Sequence, residues 1–337
     1  MNRKASILIL ALAALHLTLL FTGFLAPCDP IAQDRDLPYA PPTRLHFRDT
    51  SGWHLRPFVY ALQPEPDGYM EDRSQSFPVR LMVRGNKYKL LGLVPLDWHL
   101  FGVDQPGKIA LLGTDEFGRD EFSRVLYGGQ ISVAAGILAT IVALTAGATF
   151  GVVAGYYGWI VDESLMGATE LFLCLPWLYF LLGVRAFLPL HLSATRTFFL
   201  LTAVIGLIGW ARPARLVRGI VLTARTRNYV LAAKGFGGSD FYLMRRHILP
   251  EVMSVLVAQA ALLVPRYIAA EVTLSFFGLG VNEPTASWGN MLSVLQRYSV
   301  LVSYQWLLAP AVALVITSVI YGLLADALLS RLEFQST

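Results

Sequence analysis

The sequence predicts an all-α polytopic membrane protein with six transmembrane helices. Three observations predict it. The 337 residues are 55% hydrophobic and only 15% charged, with a mean hydropathy of +0.53, whereas a soluble chain carries about a quarter charged residues. The shortage of charge is concentrated in long apolar runs instead of being spread along the chain. Basic residues nearly free of neighbouring acids stand ahead of the first apolar run and between the fourth and fifth.

The first run covers residues 6–26 and follows Met1-Asn2-Arg3-Lys4. It is long enough to span a bilayer, which takes about 20 residues, and longer than the core of a signal peptide, about 7–15 residues. Cleavage ahead of Cys28 would want a small residue where Pro27 stands, so the run reads as an uncleaved first span. The other spans read as 131–156, 171–190, 198–214, 252–274 and 306–329, the fifth interrupted by Pro265. Gly136, Gly147, Gly151 and Gly155 in the second span suit close helix packing.

Between the first two spans lies a polar segment too long for a simple connection. Residues 77–92 alternate polar and apolar and read as a hairpin turning at Gly85-Asn86. Trp53, Phe58, Tyr60 and Trp98 supply a small core. This is a β-containing insertion in an otherwise helical chain. Arg3 and Lys4 before span one, and Arg212, Arg215, Arg218, Arg225, Arg227, Lys234, Arg245 and Arg246 between spans four and five, place both regions and both termini in the cytoplasm. Asp162 and Glu163, in the loop between spans two and three, lack a basic neighbour, but acids weigh little in this rule. The chain thus divides into an N-terminal helix (1–27), an outer segment with an interfacial helix (28–125) and a transmembrane domain (126–337) carrying a cytoplasmic loop at 222–250.

A net charge of +4 without a long Lys/Arg run argues against nucleic acid. Cys28 and Cys174 do not make a disulfide framework, and His16, His46, His54, His99, His191 and His247 are scattered without metal-ligand spacing. Residues 102–109 have the Gly and Lys spacing of a phosphate-binding loop, but Ile109 replaces the hydroxyl that would hold Mg²⁺, and the topology turns the segment outward. No catalytic residue, metal site or cofactor site is expected in this chain.

The basic loop at 227–250 carries the most information. It reads as a short amphipathic helix, a turn at Gly237-Gly238, a second helix capped by Ser239, and Leu249-Pro250 at the start of span five. Two readings fit these residues: a connector held by anionic lipid, or a surface presented to a cytoplasmic partner. The segment from Tyr229 onward resembles the "EAA" loop of binding-protein-dependent ABC permeases. Ala232, Ala233, Gly237, His247, Leu249 and Pro250 match that pattern, while Leu231 stands where the family usually has Glu. The resemblance implies a coupling helix that docks on an ATPase subunit.

Three further stretches, in the right order, resemble the C-type (OppC-like) subunit of the dipeptide/oligopeptide/nickel branch of that family. The first is Gly113-Thr114-Asp115-Glu116-Phe117-Gly118-Arg119-Asp120. The second is Trp210-Ala211-Arg212-Pro213-Ala214-Arg215. The third is Leu274-Ser275-Phe276-Phe277-Gly278-Leu279-Gly280, followed by Trp288-Gly289-Asn290. The resemblance covers roughly residues 110–330. It implies the type I ABC importer permease (MetI-like) fold in a bacterial inner membrane, and import of di-, oligo- or modified peptides. The partners it implies are a second, B-type permease, two ATP-binding subunits that hold ATP and Mg²⁺, and an extracytoplasmic substrate-binding protein. The enlarged outer segment is most similar to the subgroup that imports modified peptides.

The motif Gly113, Thr114, Asp115, Gly118, Arg119, Asp120 reads as a short helix capped by Thr114 or Asp115 at the outer interface, as an anchor or as a substrate contact. Gly278, Gly280 and Pro284 mark the turn after span five, with Trp288 among interfacial aromatics. Arg185, Arg266, Glu271 and Asp326 are costly within spans if they face lipid. Arg185 sits where it can snorkel outward. Arg266 and Glu271 either pair with each other or line a polar route. Two other classes compete. An ion-driven secondary transporter would show internal repeats, and an intramembrane enzyme would need a catalytic constellation. The sequence displays neither.

Overall fold

The computed structural model describes residues 3–49, 52–66, 68–90, 92–187 and 193–336. Met1 and Asn2, Leu91 within the expected hairpin, and Leu190 and His191 at the expected end of span three lie outside the described residues. Helix α1 (Arg3–Leu20) and a short α2 (Thr22–Leu25) lead into five strands: β1 (His46–Asp49), β2 (Gly52–Glu65), β3 (Gly68–Pro78), β4 (Arg80–Leu90) and β5 (Val94–Gly102). The helices α3 (Glu121–Tyr157), α4 (Trp159–Cys174), α5 (Trp177–Ala186), α6 (Ala194–Gly209) and α7 (Ala211–Ala224) follow. The rest of the chain forms α8 (Asn228–Gly235), α9 (Asp240–Leu243), a π-helical turn (Met244–Ile248), α10 (Leu249–Phe276), α11 (Trp288–Ser293), α12 (Tyr298–Ser303) and α13 (Ala309–Ser336).

Among the described residues, three helices are long and apolar enough to cross a membrane: Glu121–Tyr157, Asp240–Phe276 and Gln305–Ser330. The pairs α4/α5 and α6/α7 bend by 87° and 42°, and the count reaches five if each pair is one span. The third apolar run is therefore not the single helix expected. Leu175 is extended (φ −71°, ψ 131°) ahead of Pro176, because proline forbids its predecessor the helical conformation and brings no N–H of its own. Asp162 and Glu163 lie on helix α4 and not in a loop. Pro265, by contrast, sits inside an unbroken α10, as membrane helices tolerate.

The chain forms two compact units. One comprises Met1–Ala11, Val133–Leu274 and Thr317–Thr337; the other comprises Leu12–Ser132 and Ser275–Ile316. In the first, α3 packs closely on α7. A Cβ added at Gly151 would stand 2.5 Å from the Ala214 carbonyl, and one at Gly147 2.6 Å from Pro213. The glycines expected to allow close packing therefore do so, and Val217, Val221, Ile248, Val252 and Leu256 extend the same core.

In the second unit, β1, β2 and β3 form one antiparallel sheet and β4 and β5 another. Phe58, Val59 and Tyr60 are buried, with Phe58 and Tyr60 edge to face at 5.3 Å. Trp53 and Trp98, expected in that core, are exposed. The hairpin also turns elsewhere than expected. Strand β4 runs straight through Gly85 and Asn86, with an irregular register between Arg84 and Tyr88. The turn comes at Gly92 (φ +72°). A Cβ on Gly85 would lie 2.7 Å from the His99 ring, so this glycine admits a cross-strand neighbour instead of reversing the chain.

Candidate functional site

Three arrangements carry chemistry, and each lies within one unit. The first is the loop element of the larger helical unit. Helix α8 ends at Gly235, and Gly237 (φ +85°) reverses the chain in a conformation that a Cβ would strain. Ser239 then caps α9 by accepting from the Tyr242 N–H at 3.3 Å. The π-helical turn joins α9 to α10, so the second helix of the loop runs on into the membrane helix. The inner side is locked. Val230, Leu243 and Ile248 are buried, and the Tyr229 hydroxyl donates to Glu251, which also pairs with Arg227 at 3.2 Å. That hydrogen bond to Glu251, helped by burial, raises the Tyr229 pKa above the usual phenol value. His247 packs beside Tyr229 and Tyr242, with ring centroids 5.8 and 5.6 Å away. The outer side is open and apolar: Phe236 is 93% exposed, and Leu231, Phe241 and Tyr242 are exposed around it.

Three hydrogen bonds hold this element and the end of α7 just before it to the end of α3. The Tyr156 hydroxyl donates to Asp240 at 2.6 Å. Arg225 donates to the carbonyls of Gly155 and Tyr156 at 3.0 and 3.1 Å, satisfying acceptors that the helix end leaves free.

The second arrangement is a cavity of about 150 Å³ at the breaks in the bent helices. Pro176 and Trp177 from the α4/α5 break, Gly209 and Arg212 from the α6/α7 bend, and Arg266 and Tyr267 from α10 line it. The Tyr267 hydroxyl donates to the Gly209 carbonyl at 3.3 Å, at the bend itself. Arg266 is on the wall; Glu271 is buried and is not among the lining residues. Arg185, expected to snorkel, is buried at 2% exposure.

The third arrangement holds the motif around Gly113, and it is not the short helix expected. Residues 113–120 form a tight loop closed by a bridge between Thr114 and Asp120. Asp115 Oδ1 accepts from the N–H groups of Phe117 and Arg119 at 2.9 and 3.0 Å. A Cβ at Gly118 (φ +71°) would overlap the Asp34 carbonyl at 1.9 Å. Thr114 donates to the Leu37 carbonyl at 2.5 Å, so it fastens the loop and caps no helix. The cap of α3 is Asp120, whose Oδ2 accepts from the Ser123 N–H at 2.9 Å. Burial pushes the Asp120 pKa up to about 6 against the hydrogen bonds that favour its charge.

Two arginines from this segment converge on one carboxylate. Arg119 donates to Glu283 at 2.6 Å and Arg124 at 2.9 Å, while Asp115 accepts from Arg119 Nε at 2.6 Å. Burial works against the Arg119 charge, but Glu283 and Asp115 outweigh it and hold its pKa above the ordinary value. Trp288 is 2% exposed and packed inside the protein: its Nε1 donates to the Val125 carbonyl at 2.9 Å and its backbone N–H to Ser132 at 3.2 Å.

Residues 147–335, more than half of the chain, match the family described as "Binding-protein-dependent transport system inner membrane component". The chain belongs to that family of permeases. It is 35% identical over 223 residues to the dipeptide transport system permease protein DppC of Bacillus subtilis, covering 66% of this chain and 67% of the relative. It is 33% identical over 237 residues to the oligopeptide transport system permease protein OppC of the same organism, covering 70% and 75%.

The loop element and the cavity of the permease both fall inside the matched stretch, whereas Arg119 and Arg124 precede it. Sequence reasoning selected Arg119 but missed Glu283, Arg124 and Arg212. For Glu283 a signal existed: it is the sole acid between Leu274 and Ser303, and a lone acid in an apolar-rich loop wants a cation. For Arg212 the signal was a basic residue at the end of an apolar run.

Proposed function

We propose that the permease carries di-, oligo- or modified peptides inward across a bacterial inner membrane by alternating access. It pairs with a second, B-type permease, receives its cargo from an extracytoplasmic binding protein, and is driven by two ATP-binding subunits. This chain holds no ATP; nucleotide and Mg²⁺ act on those subunits. Both termini and the Tyr229–Pro250 element face the cytoplasm, the strands lie outside, and α1 and the two bent pairs complete six spans.

One observation carries the reading. The α8–α9 element offers exposed Phe236, Phe241 and Leu231 to a partner while the Tyr156–Asp240 bond ties it to α3, and Arg225 fastens the end of α7 just before it to the same helix. A surface that is apolar outward and fastened inward transmits a partner's movement instead of absorbing it. Leu231, in place of the family's usual Glu, makes that contact apolar where a charge is customary. Above it, Arg266 faces the route and Glu271 supports the route's wall. The names of the relatives, dipeptide and oligopeptide permeases, support the substrate class.

The test is a pull-down of the tagged chain from mildly solubilised membranes, followed by an ATPase assay. A copurifying permease and ATPases, with activity stimulated by peptide-loaded binding protein, is the expected result. A lone chain under conditions that preserve known complexes would return the ion-driven carrier to first place.

A further inference from the structure

Arg212 and Arg266 are both exposed, and both line the cavity at the helix breaks. Arg266 is 17 residues into α10, about 26 Å along the helix from Leu249, so it stands deep within the span. An arginine at that depth does not face lipid; it faces water, protein or an anion. Among the described residues, no Asp or Glu lines the cavity. Its remaining walls are apolar and aromatic: Phe172, Pro176, Trp177, Leu181 and Tyr267. The two guanidinium-bearing residues share one cavity wall. A built site with paired cations, aromatic walls and no internal counter-charge suits a carboxylate joined to an apolar side chain. Guanidinium groups bind carboxylates through paired N–H donors.

We propose that this cavity is a station for the C-terminal carboxylate of a peptide in transit, with Arg212 and Arg266 as its ligands and Trp177 and Tyr267 beside the last side chain. This rests on the peptide-import reading above. The position at the α4/α5 and α6/α7 breaks means that straightening or bending those helices alters the site. A carboxylate is therefore held in one conformation and released in the other.

The experiment uses the complete transporter in proteoliposomes. It compares a peptide bearing a free C-terminal carboxylate with the same peptide as its C-terminal amide, chosen so that the binding protein holds both equally tightly. Uptake is measured at saturating loaded binding protein. The wild type should favour the free acid, and Arg266→Gln or Arg212→Gln should reduce the acid-to-amide uptake ratio about tenfold, the effect of one charge-assisted hydrogen bond. Arg266→Lys should keep most of the preference, and ATPase stimulation should persist in every variant. Equal losses of both peptides, or an unchanged ratio in the double variant, would overturn the station. A wild-type complex that takes up neither peptide would instead overturn the import reading, so the two failures are distinguishable.

Discussion

Tyr156, in the last turn of α3, donates a 2.6 Å hydrogen bond to Asp240, the first residue of α9. In the proposed coupling role, this bond is the link by which a shift of the loop element would reach α3. Tyr156→Phe removes the bond and keeps the ring. The expected cost in stability is about 1 kcal/mol or less, since the pair is exposed. Peptide uptake per ATP hydrolysed should fall several-fold while the ATPase rate is retained, measured in parallel on the same proteoliposomes. Equal uptake per ATP would mean that α3 moves without this bond.

Gly237 sits at φ +85° with open space around it. A substitution there is resisted by backbone strain alone. Gly237→Val should destabilise the turn by about 1–2 kcal/mol and abolish stimulation by loaded binding protein. Gly237→Asn, which tolerates that region, should retain much of it. Similar losses in both variants would point away from the backbone as the cause.

Gly151 faces the Ala214 carbonyl at a distance that no side chain fits. Gly151→Leu should force α3 and α7 apart, cost about 1–3 kcal/mol, and lower the yield of assembled complex in size-exclusion chromatography. Gly167→Leu, where nothing lies within 4 Å, is the matched control.

Asp120 is buried, its Oδ1 has no hydrogen-bond partner among the described residues, and its pKa is raised from 3.8 to about 6. A carboxyl whose folded pKa lies above its unfolded pKa binds more protons when folded. Its contribution to stability is therefore fully present below pH 4 and is lost as pH rises through about 6. Asp120→Asn keeps the cap without the charge. It should raise stability at pH 7 by up to about 3 kcal/mol, read as a higher thermal midpoint, and flatten the profile between about pH 4 and 6. A variant with the wild-type pH profile would show that Asp120 is not the titrating group.

Glu283 is 45% exposed but receives two arginines that are nearly buried, Arg119 and Arg124. Glu283→Ala leaves both cations without that acceptor. The cost should be about 2 kcal/mol, less than for a fully buried pair because solvent reaches the carboxylate. Thermal unfolding of the detergent-purified complex reads it, and Glu283→Gln should recover part of the loss.

Several features were decided by the sequence alone. The positions of the long apolar helices follow from composition along the chain, because burying a backbone in lipid requires helix and a run of apolar residues. The turn at Gly237 and the cap at Ser239 were legible too, since each depends on the conformational preference of one residue within a single turn. Other features waited for the tertiary structure. The broken third helix was written in Pro176, yet a proline also stands in α10 without breaking it; neighbouring helices decide which proline bends. The motif around Gly113 looked like a helix start because its Thr and Asp cap helices well, but the close approach of Asp34 at Gly118 holds it as a loop. The hairpin turn was misplaced because Gly85 serves His99 across the sheet, and no local pattern announces a cross-strand neighbour. Arg119 and Glu283 are 164 positions apart, and Arg212 and Arg266 meet only where two bends face α10. Charges that find each other across such distances are fixed by packing, because the energy of a pair depends on separation in space and local dielectric, neither of which is encoded in separation along the chain.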